Sequence, residues 1–436
     1  MKRKIYTIAI ALFGLVSGLQ AQQIVPVSKA DVLGKVQESN RTLKISEADF
    51  NQAKADFRQT NAVFLPNISV SHTGMSTTNP LAAFGAKINQ EIVSQSDFNP
   101  ALLNDPDQIQ NFTTKFEIQQ PLLNFDGVYQ RKAAKLKMEA MALQQLRTKD
   151  YLSLEVEKAY MQLQLAYKTV AVVETALKAA KANKQLADNS FKQGYLQKAD
   201  VLAVEVRVSE VESQLHTAES HVKNASDYLS FLMHEDQEVV YRPLDSLQVE
   251  VVTLNPKDVI SEERSDIKAM ALSADAYKTM LKAEKMNFLP RLNAFGSYEL
   301  YDDQMFQGHA NGYVFGAQLS WNILNGGKRF GKIQKGQSTY DKSKFQYEQY
   351  KSKSDMELNK AWRALNDTEK KLNLTALALK QSKESLRIRT NRFGEGLEKT
   401  SDLLMAETQY AQKQLEYYQT IYQYNYAQAY VQFLTQ

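Results

Sequence analysis

The side chains most able to do chemistry are five histidines, His72, His216, His221, His234 and His309, and two aspartates, Asp200 and Asp402, that recur in one sequence frame. The histidines do not make a metal site. There is no H-E-x-x-H and no cysteine to complete a zinc set, and His216 and His221 stand five apart, off the i,i+4 spacing that puts two ligands on one helix face. Gly326-Gly327-Lys328 lacks the rest of a phosphate-binding loop. Gly394-x-Gly396 lacks the third glycine and the leading strand of a dinucleotide fingerprint. No catalytic constellation and no cofactor site is left, so the chain is not expected to be an enzyme. What does recur is F-x-x-G-x5-D-x-L-x-x-E, carried by Phe191, Gly194, Asp200, Leu202 and Glu205. At an offset of 202 the same frame is carried by Phe393, Gly396, Asp402, Leu404 and Glu407.

The offset extends beyond that frame. Glu155-x-x-Lys158-Ala159-Tyr160 matches Glu357-x-x-Lys360-Ala361-Trp362, and Tyr228-x-x-Phe231-Leu232 matches Tyr430-x-x-Phe433-Leu434. Upstream, Phe64-Leu65-Pro66 recurs as Phe288-Leu289-Pro290. The chain is a tandem duplication. None of its nine prolines falls in 122–242 or 291–436, as long helices require, since an interior proline costs about 3 kcal/mol or more. In the first stretch Leu152, Val156, Ala159, Leu163, Ala166, Val170, Val173, Leu177 and Ala180 step by four and three. Val204, Val208, Val211, Leu215, Ala218, Val222, Ala225, Leu229 and Leu232 do so on the return. That stepping marks a coiled-coil seam, and two such runs joined by a short glycine link read as an antiparallel hairpin. The second half keeps Leu358, Leu365, Leu372 and Leu379 on one helix, and a stripe of Tyr410, Tyr417 and Tyr424 on the other is read as core. Gly194 and Gly396 are placed to end helices in left-handed geometry, and Asp200 and Asp402 to cap the returning ones.

Ahead of each hairpin the period changes to two. Phe112, Phe116 and Ile118 alternate with Thr113, Lys115, Glu117 and Gln119. Tyr313, Phe315, Ala317, Leu319 and Trp321 alternate with Val314, Gly316, Gln318 and Ser320. Asn67 to Met75 and Arg291 to Tyr301 alternate more loosely. Strands of about ten residues with one apolar face suit a tilted membrane crossing. The link from Thr77 to Asn111 is long, that from Asp302 to Asn311 short, as outer loops and inner connections of such barrels are. Helices are expected over Ser28 to Ala62, Val128 to Lys192, Asp200 to His234 and Lys257 to Asn287. The expected organisation is a secretion signal over 1–21, a first repeat over 22–234, a mid-height linker over 235–256 and a second repeat over 257–436.

The start explains the signal: Lys2, Arg3 and Lys4 precede an apolar run from Ile5 to Leu19 and the small-residue site Leu19-Gln20-Ala21. Removing it lowers the net charge from +4 to +1, which gives no reason to invoke nucleic acid. With no cysteine there is no disulfide framework and no N-terminal lipid attachment.

With Pro121-Leu122-Leu123-Asn124 and Ile323-Leu324-Asn325-Gly326-Gly327 after the strands, and two G-x5-D-x-L tips, the chain resembles the TolC-like outer-membrane efflux proteins over nearly all its mature length. The resemblance implies a mainly α protein with a membrane β-barrel, in which four strands from each of three chains make a twelve-stranded barrel joined to a periplasmic α-barrel. Four strands cannot close alone, and an open edge in lipid costs several kcal/mol per unpaired group, so an oligomer is required in any case. It further implies passive exit of small molecules or secreted proteins, a periplasmic membrane-fusion adaptor docking on the tips, and an inner-membrane transporter of RND or ABC type. Phe116, Ile118, Tyr313, Phe315 and Leu319 would face lipid. Gly194, Gly396, Phe191, Phe393, Leu202, Leu404, Glu205 and Glu407 would form the tip turns and docking surface. Asp402, and after it Asp200, would ring the constriction. Family members hold the closed tip with a tyrosine at Phe393 and an arginine at Glu398; here that lock is lost, and Lys399 or Lys198 is the expected replacement. The alternative is a periplasmic coiled-coil scaffold or adaptor with a soluble β domain.

Overall fold

The computed structural model describes residues 24–235, 239–250, 252–255 and 259–436. The secretion signal and part of the expected linker lie outside the described residues. In chain order the elements are β1 (Ile24–Val27), α1 (Lys29–Ser39), α2 (Arg41–Gln59), β2 (Asn67–Thr77), α3 (Pro80–Asn89), α4 (Pro100–Asn104), β3 (Ile109–Leu123), α5 (Phe125–Lys192), α6 (Lys198–Met233), β4 (Val240–Pro243), α7 (Ser265–Met286), β5 (Arg291–Asp302), β6 (Ala310–Ser320), α8 (Lys328–Gly394) and α9 (Thr400–Thr435). The proline-free stretches do form long helices: α5 has 68 residues and α8 has 67, roughly 100 Å each at the α-helical rise. The chain makes two compact units. One contains residues up to Glu47, Gln144–Asp266 and Tyr350–Gln436; the other contains Ala48–Leu143 and Ile267–Gln349.

In the first unit the heptad seam is the core. Leu152, Val156, Ala159, Leu163 and Ala166 of α5 cluster with Val222, Leu229 and Leu232 of α6, and Val32 and Val36 of α1 join them. Leu358, Ala361 and Leu365 of α8 cluster with Ala427, Val431 and Leu434 of α9. The Tyr410, Tyr417 and Tyr424 stripe is half-buried rather than fully buried, and only Tyr424 borders that cluster. A second aromatic ladder was not anticipated: Tyr422, Tyr426, Tyr430 and Phe433 stack in succession along α9, as i,i+4 and i,i+3 neighbours on one helix face do.

Three features depart from expectation. The single helix expected over Ser28 to Ala62 is broken at Asn40, whose buried side chain accepts from the Thr42 amide at 2.9 Å and donates to the Leu232 carbonyl at 2.8 Å. A capping side chain held by a neighbouring helix offers the backbone an alternative to continuing. A two-stranded parallel sheet, β1 with β4, was missed because four residues carry too little periodicity. The backbone of Gln248, Glu250 and Val252 takes its partners from α9 rather than from a strand. Asn425 and Gln428, one turn apart and buried, accept from the Glu250 and Val252 amides at 3.1 and 2.9 Å. They donate to the Gln248 and Glu250 carbonyls at 2.7 and 2.8 Å.

The last carbonyls of α9 are tied down by two buried arginines. Arg147 donates to the Phe433 carbonyl at 3.1 Å and Arg264 to that of Leu434 at 2.8 Å. Both also hold Asp266, at 3.2 and 2.7 Å, and Tyr350 donates to it at 2.8 Å. Burial alone would raise the Asp266 pKa, but these hydrogen bonds and charges outweigh it and hold the carboxyl below the usual range. Burial and the same contact push the Tyr350 phenol up to about 12.

The second unit contains an antiparallel sheet in the order β2-β3-β5-β6. Helices join it at one end; the other end carries the links 78–108 and 303–309. The first link, long as expected, carries helices of its own. Asn79 caps α3 by accepting from the Ala82 amide at 3.1 Å, with Pro80 in the first turn, and α4 follows.

Candidate functional site

The register divides the sheet into two chemically distinct faces. One row runs Val70, Phe116, Tyr298 and Tyr313 across the four strands; the next runs Ile68, Ile118, Gly296 and Phe315, and Leu319 pairs with Leu292 beyond them. Phe116, Ile118, Tyr313, Phe315 and Leu319 all share this face and all are exposed, Phe315 to 78%. A contiguous exposed apolar surface of this kind marks a contact with lipid or protein. Alternation puts Lys115, Glu117, Ser297 and Glu299 on the opposite face, where Lys115 sits 3.5 Å from both carboxylates. Among the described residues the outer edges of β2 and β6 are unpaired.

The two repeated frames form two hairpin tips with one backbone design. Gly194 stands at φ +79° and Gly396 at φ +73°. The Gly194 amide donates to Phe191 and the Tyr195 amide to Ser190. The Gly396 amide donates to Phe393 and the Leu397 amide to Arg392. Each is a Schellman turn, in which only glycine takes the left-handed position without steric cost.

The capping expectation is corrected: Asp200 and Asp402 occupy the third helical position, not the cap. Gln197 stands at the cap of α6, and Asp200 reaches back to accept from its amide at 3.3 Å. Lys399 stands at the cap of α9, and its side chain makes no capping hydrogen bond. The expected lysine lock is also corrected. Arg389 and Arg392 of α8 grip Glu398 at 2.8 and 3.0 Å, and Arg389 lies 3.8 Å from Asp402. Lys198 instead sits over the Phe191 ring at 5.9 Å.

Phe191 and Leu202 are exposed, and Leu404 and Glu205 are half-buried, Glu205 lying 3.4 Å from Lys184. Phe393 and Glu407, expected on the docking surface, are each only 7% exposed. Glu407 accepts from Asn183 of α5, and its second oxygen has no hydrogen-bond partner among the described residues. Buried side chains position a tip rather than meet a partner. The contributions of Arg389, Arg392 and Asn183 were missed; the basic run Arg387, Arg389, Arg392 on one side of the turn was the available signal.

Long paired helices, and a sheet with an apolar outer face, a charged inner face and two open edges, define an oligomeric outer-membrane channel protomer. The sequence profile described as outer membrane efflux protein matches residues 32–233 and 258–435, and the chain belongs to that family. Its members are non-enzymatic transport proteins that work as trimers with efflux-pump partners. Among curated proteins none matches significantly. Solved structures share the fold. A membrane protein from Pseudomonas aeruginosa is 16% identical, with a TM-score of 0.80 over 94% of this chain and 93% of its own. The outer membrane protein VceC from Vibrio cholerae is 17% identical, with a TM-score of 0.78 over 93% of this chain and 96% of its own. The CmeC outer membrane channel of Campylobacter jejuni is 15% identical, with a TM-score of 0.77 over 93% of this chain and 85% of its own.

Proposed function

We propose that three copies of this chain form the passive exit duct of a tripartite efflux pump or type I secretion system, with its barrel in the outer membrane and its helices in the periplasm. The observation that carries this reading is the four-stranded sheet, exposed and apolar on one face, charged on the other, and unpaired at both edges. Closing it with copies turns the Phe116, Ile118, Tyr313, Phe315 and Leu319 face to lipid and the Lys115, Glu117 and Glu299 face to water. The repeats at 22–234 and 257–436 would each supply two strands and one hairpin. An inner-membrane transporter of RND or ABC type supplies the energy, and a periplasmic adaptor contacts the exposed parts of the tips, Phe191, Leu202 and the two glycine turns. The barrel would anchor the protein in the outer membrane.

The test is a charge on the outer face. Phe315→Lys should destabilise the assembled barrel by about 2–4 kcal/mol near the midplane, with Leu319→Lys acting in the same direction. Both should reduce trimer yield in the outer-membrane fraction. Full yield of the double variant, or release of the protein by carbonate, points to a periplasmic scaffold.

A further inference from the structure

The link between β2 and β3 carries apolar side chains that the protomer leaves uncovered. α3 packs against the sheet through Ala83 and Ala86, which cluster with Ile109. Gln90, just beyond α3 and buried, donates to the Gln110 carbonyl and to Asn111 Oδ1, each at 2.8 Å. By strand alternation Ile109 and Asn111 share the face of Lys115 and Glu117. α3 therefore lies on the charged face, at the end of the sheet away from the helices. The 303–309 link takes the other side, where Phe306 stacks on His72 at 4.4 Å; His72 shares the face of Val70.

Helical periodicity then decides what α3 presents. Residues 83, 86 and 90 face the sheet, so Leu81, Gly85 and Ile88 lie about half a turn away and point off it. Leu81 is 82% exposed and Ile88 51%. The segment is built rather than loose: Lys87 pairs with Asp97 at 2.6 Å, and Phe84 meets Phe98 edge-on at 5.6 Å. Its natural cover is the same helix from other copies. α3 begins just after the end of an edge strand, and closure through those edges makes the charged face the inside of the barrel.

We propose that α3 from each copy projects Leu81, Gly85 and Ile88 toward the barrel axis, where the copies meet as an apolar constriction at the outer mouth. Resting on the channel reading above, this is a second narrowing, separate from the hairpin tips. An apolar ring of this kind gates by dewetting, resisting ions and polar solutes more than apolar cargo.

The test uses the absence of native cysteine. Ser69→Cys places a reporter on the inner face, exposed and closer to the helix-bearing end than α3 is. In intact cells a membrane-impermeant, polymer-linked maleimide should label it slowly. Leu81→Asp with Ile88→Asp, which leaves the Ala83 and Ala86 contact intact, should speed labelling about tenfold. Gly85→Trp, at a position with open space around an added side chain, should slow it. Labelling at one rate in all three backgrounds overturns the constriction while leaving the channel reading intact. No labelling in any background, with full labelling after the membrane is disrupted, overturns both.

Discussion

The two hairpin tips are one motif in two environments. Their backbones agree down to the Schellman hydrogen bonds and the left-handed glycine. Their side chains do not. At the first tip Phe191 is exposed, Glu205 meets Lys184 near solvent, and Asp200 has no ion-pair partner among the described residues. At the second, Phe393 and Glu407 are buried, and Glu398 is gripped by two arginines, one of which also reaches Asp402. Duplication copies the turn, because the turn depends on local residues alone. What surrounds the turn has diverged, leaving Phe191 of the first tip exposed and the second tip held by side chains of α8 and α5.

The strongest way to break that contrast is at the shared backbone. Proline at Gly194 or Gly396 demands φ near −65° where the chain runs at +79° and +73°, a conflict of about 3 kcal/mol or more. Gly194→Pro should abolish adaptor pull-down and efflux while leaving a folded barrel. Gly396→Pro should impair efflux with a weaker effect on pull-down. Unchanged binding in both would remove the tips from the docking surface.

Glu398→Ala should release Arg389 and Arg392 and loosen the second tip only. Because the arginines are substantially exposed, the stability lost is about 1 kcal/mol. The clearer readout is a severalfold rise in conductance in planar bilayers. Lys198→Ala, the matching disturbance at the first tip, should leave conductance unchanged; equal effects would erase the contrast.

Glu407 gives the contrast a pH dependence. Burial raises its pKa, against the opposing pull of Arg207 and the Asn183 hydrogen bond. A carboxyl whose pKa is raised by folding is favoured in its neutral form. Its contribution is therefore full below the ordinary value of about 4.3 and is lost as pH rises through the higher folded value. This contribution to thermal stability should grow on acidification from neutral pH, against the opposite slope of carboxyls held low, such as Asp266. Glu407→Gln should remove this contribution and stabilise the protein at neutral pH by about 1 kcal/mol, while Glu205→Gln should leave it in place. A pH slope unchanged in Glu407→Gln assigns it to other carboxyls.

The smallest expected effect is on selectivity. Arg389 partly offsets Asp402, so Asp200→Asn should lower cation selectivity in bilayers more than Asp402→Asn does, reversing the order expected from sequence. Neither should move stability by more than about 1 kcal/mol, since neither is the helix cap. A drop in stability without a change in selectivity would make the aspartates structural.

The second tip also shows where sequence reasoning stops. The glycines, the duplication and the strand faces were legible because each follows from spacing: a 3.5-residue repeat, a two-residue repeat, a missing proline. The Arg389–Glu398–Arg392 grip depends on which way a turn brings back two helices, and the burial of Glu407 on a side chain 224 positions away, Asn183. The basic run Arg387, Arg389, Arg392 points to the first, but no local pattern encodes the second. The same holds for the break at Asn40, set by a carbonyl on α6, and for the Gln248 and Glu250 carbonyls that Asn425 and Gln428 hold.

By itself, then, the sequence determined the repeated architecture: the helices and their seams, the four strands and their apolar faces, and the positions of the turns. These rest on local propensity and periodicity, which act over a few residues. Only the tertiary structure decided which repeated residues are buried, which carboxylates are held and by what, and that the first strand link folds as a helix onto the charged face. Those outcomes depend on groups far apart in sequence competing for one solvent-poor location, where an unpaired charge costs several kcal/mol and a neighbour's single side chain decides the result.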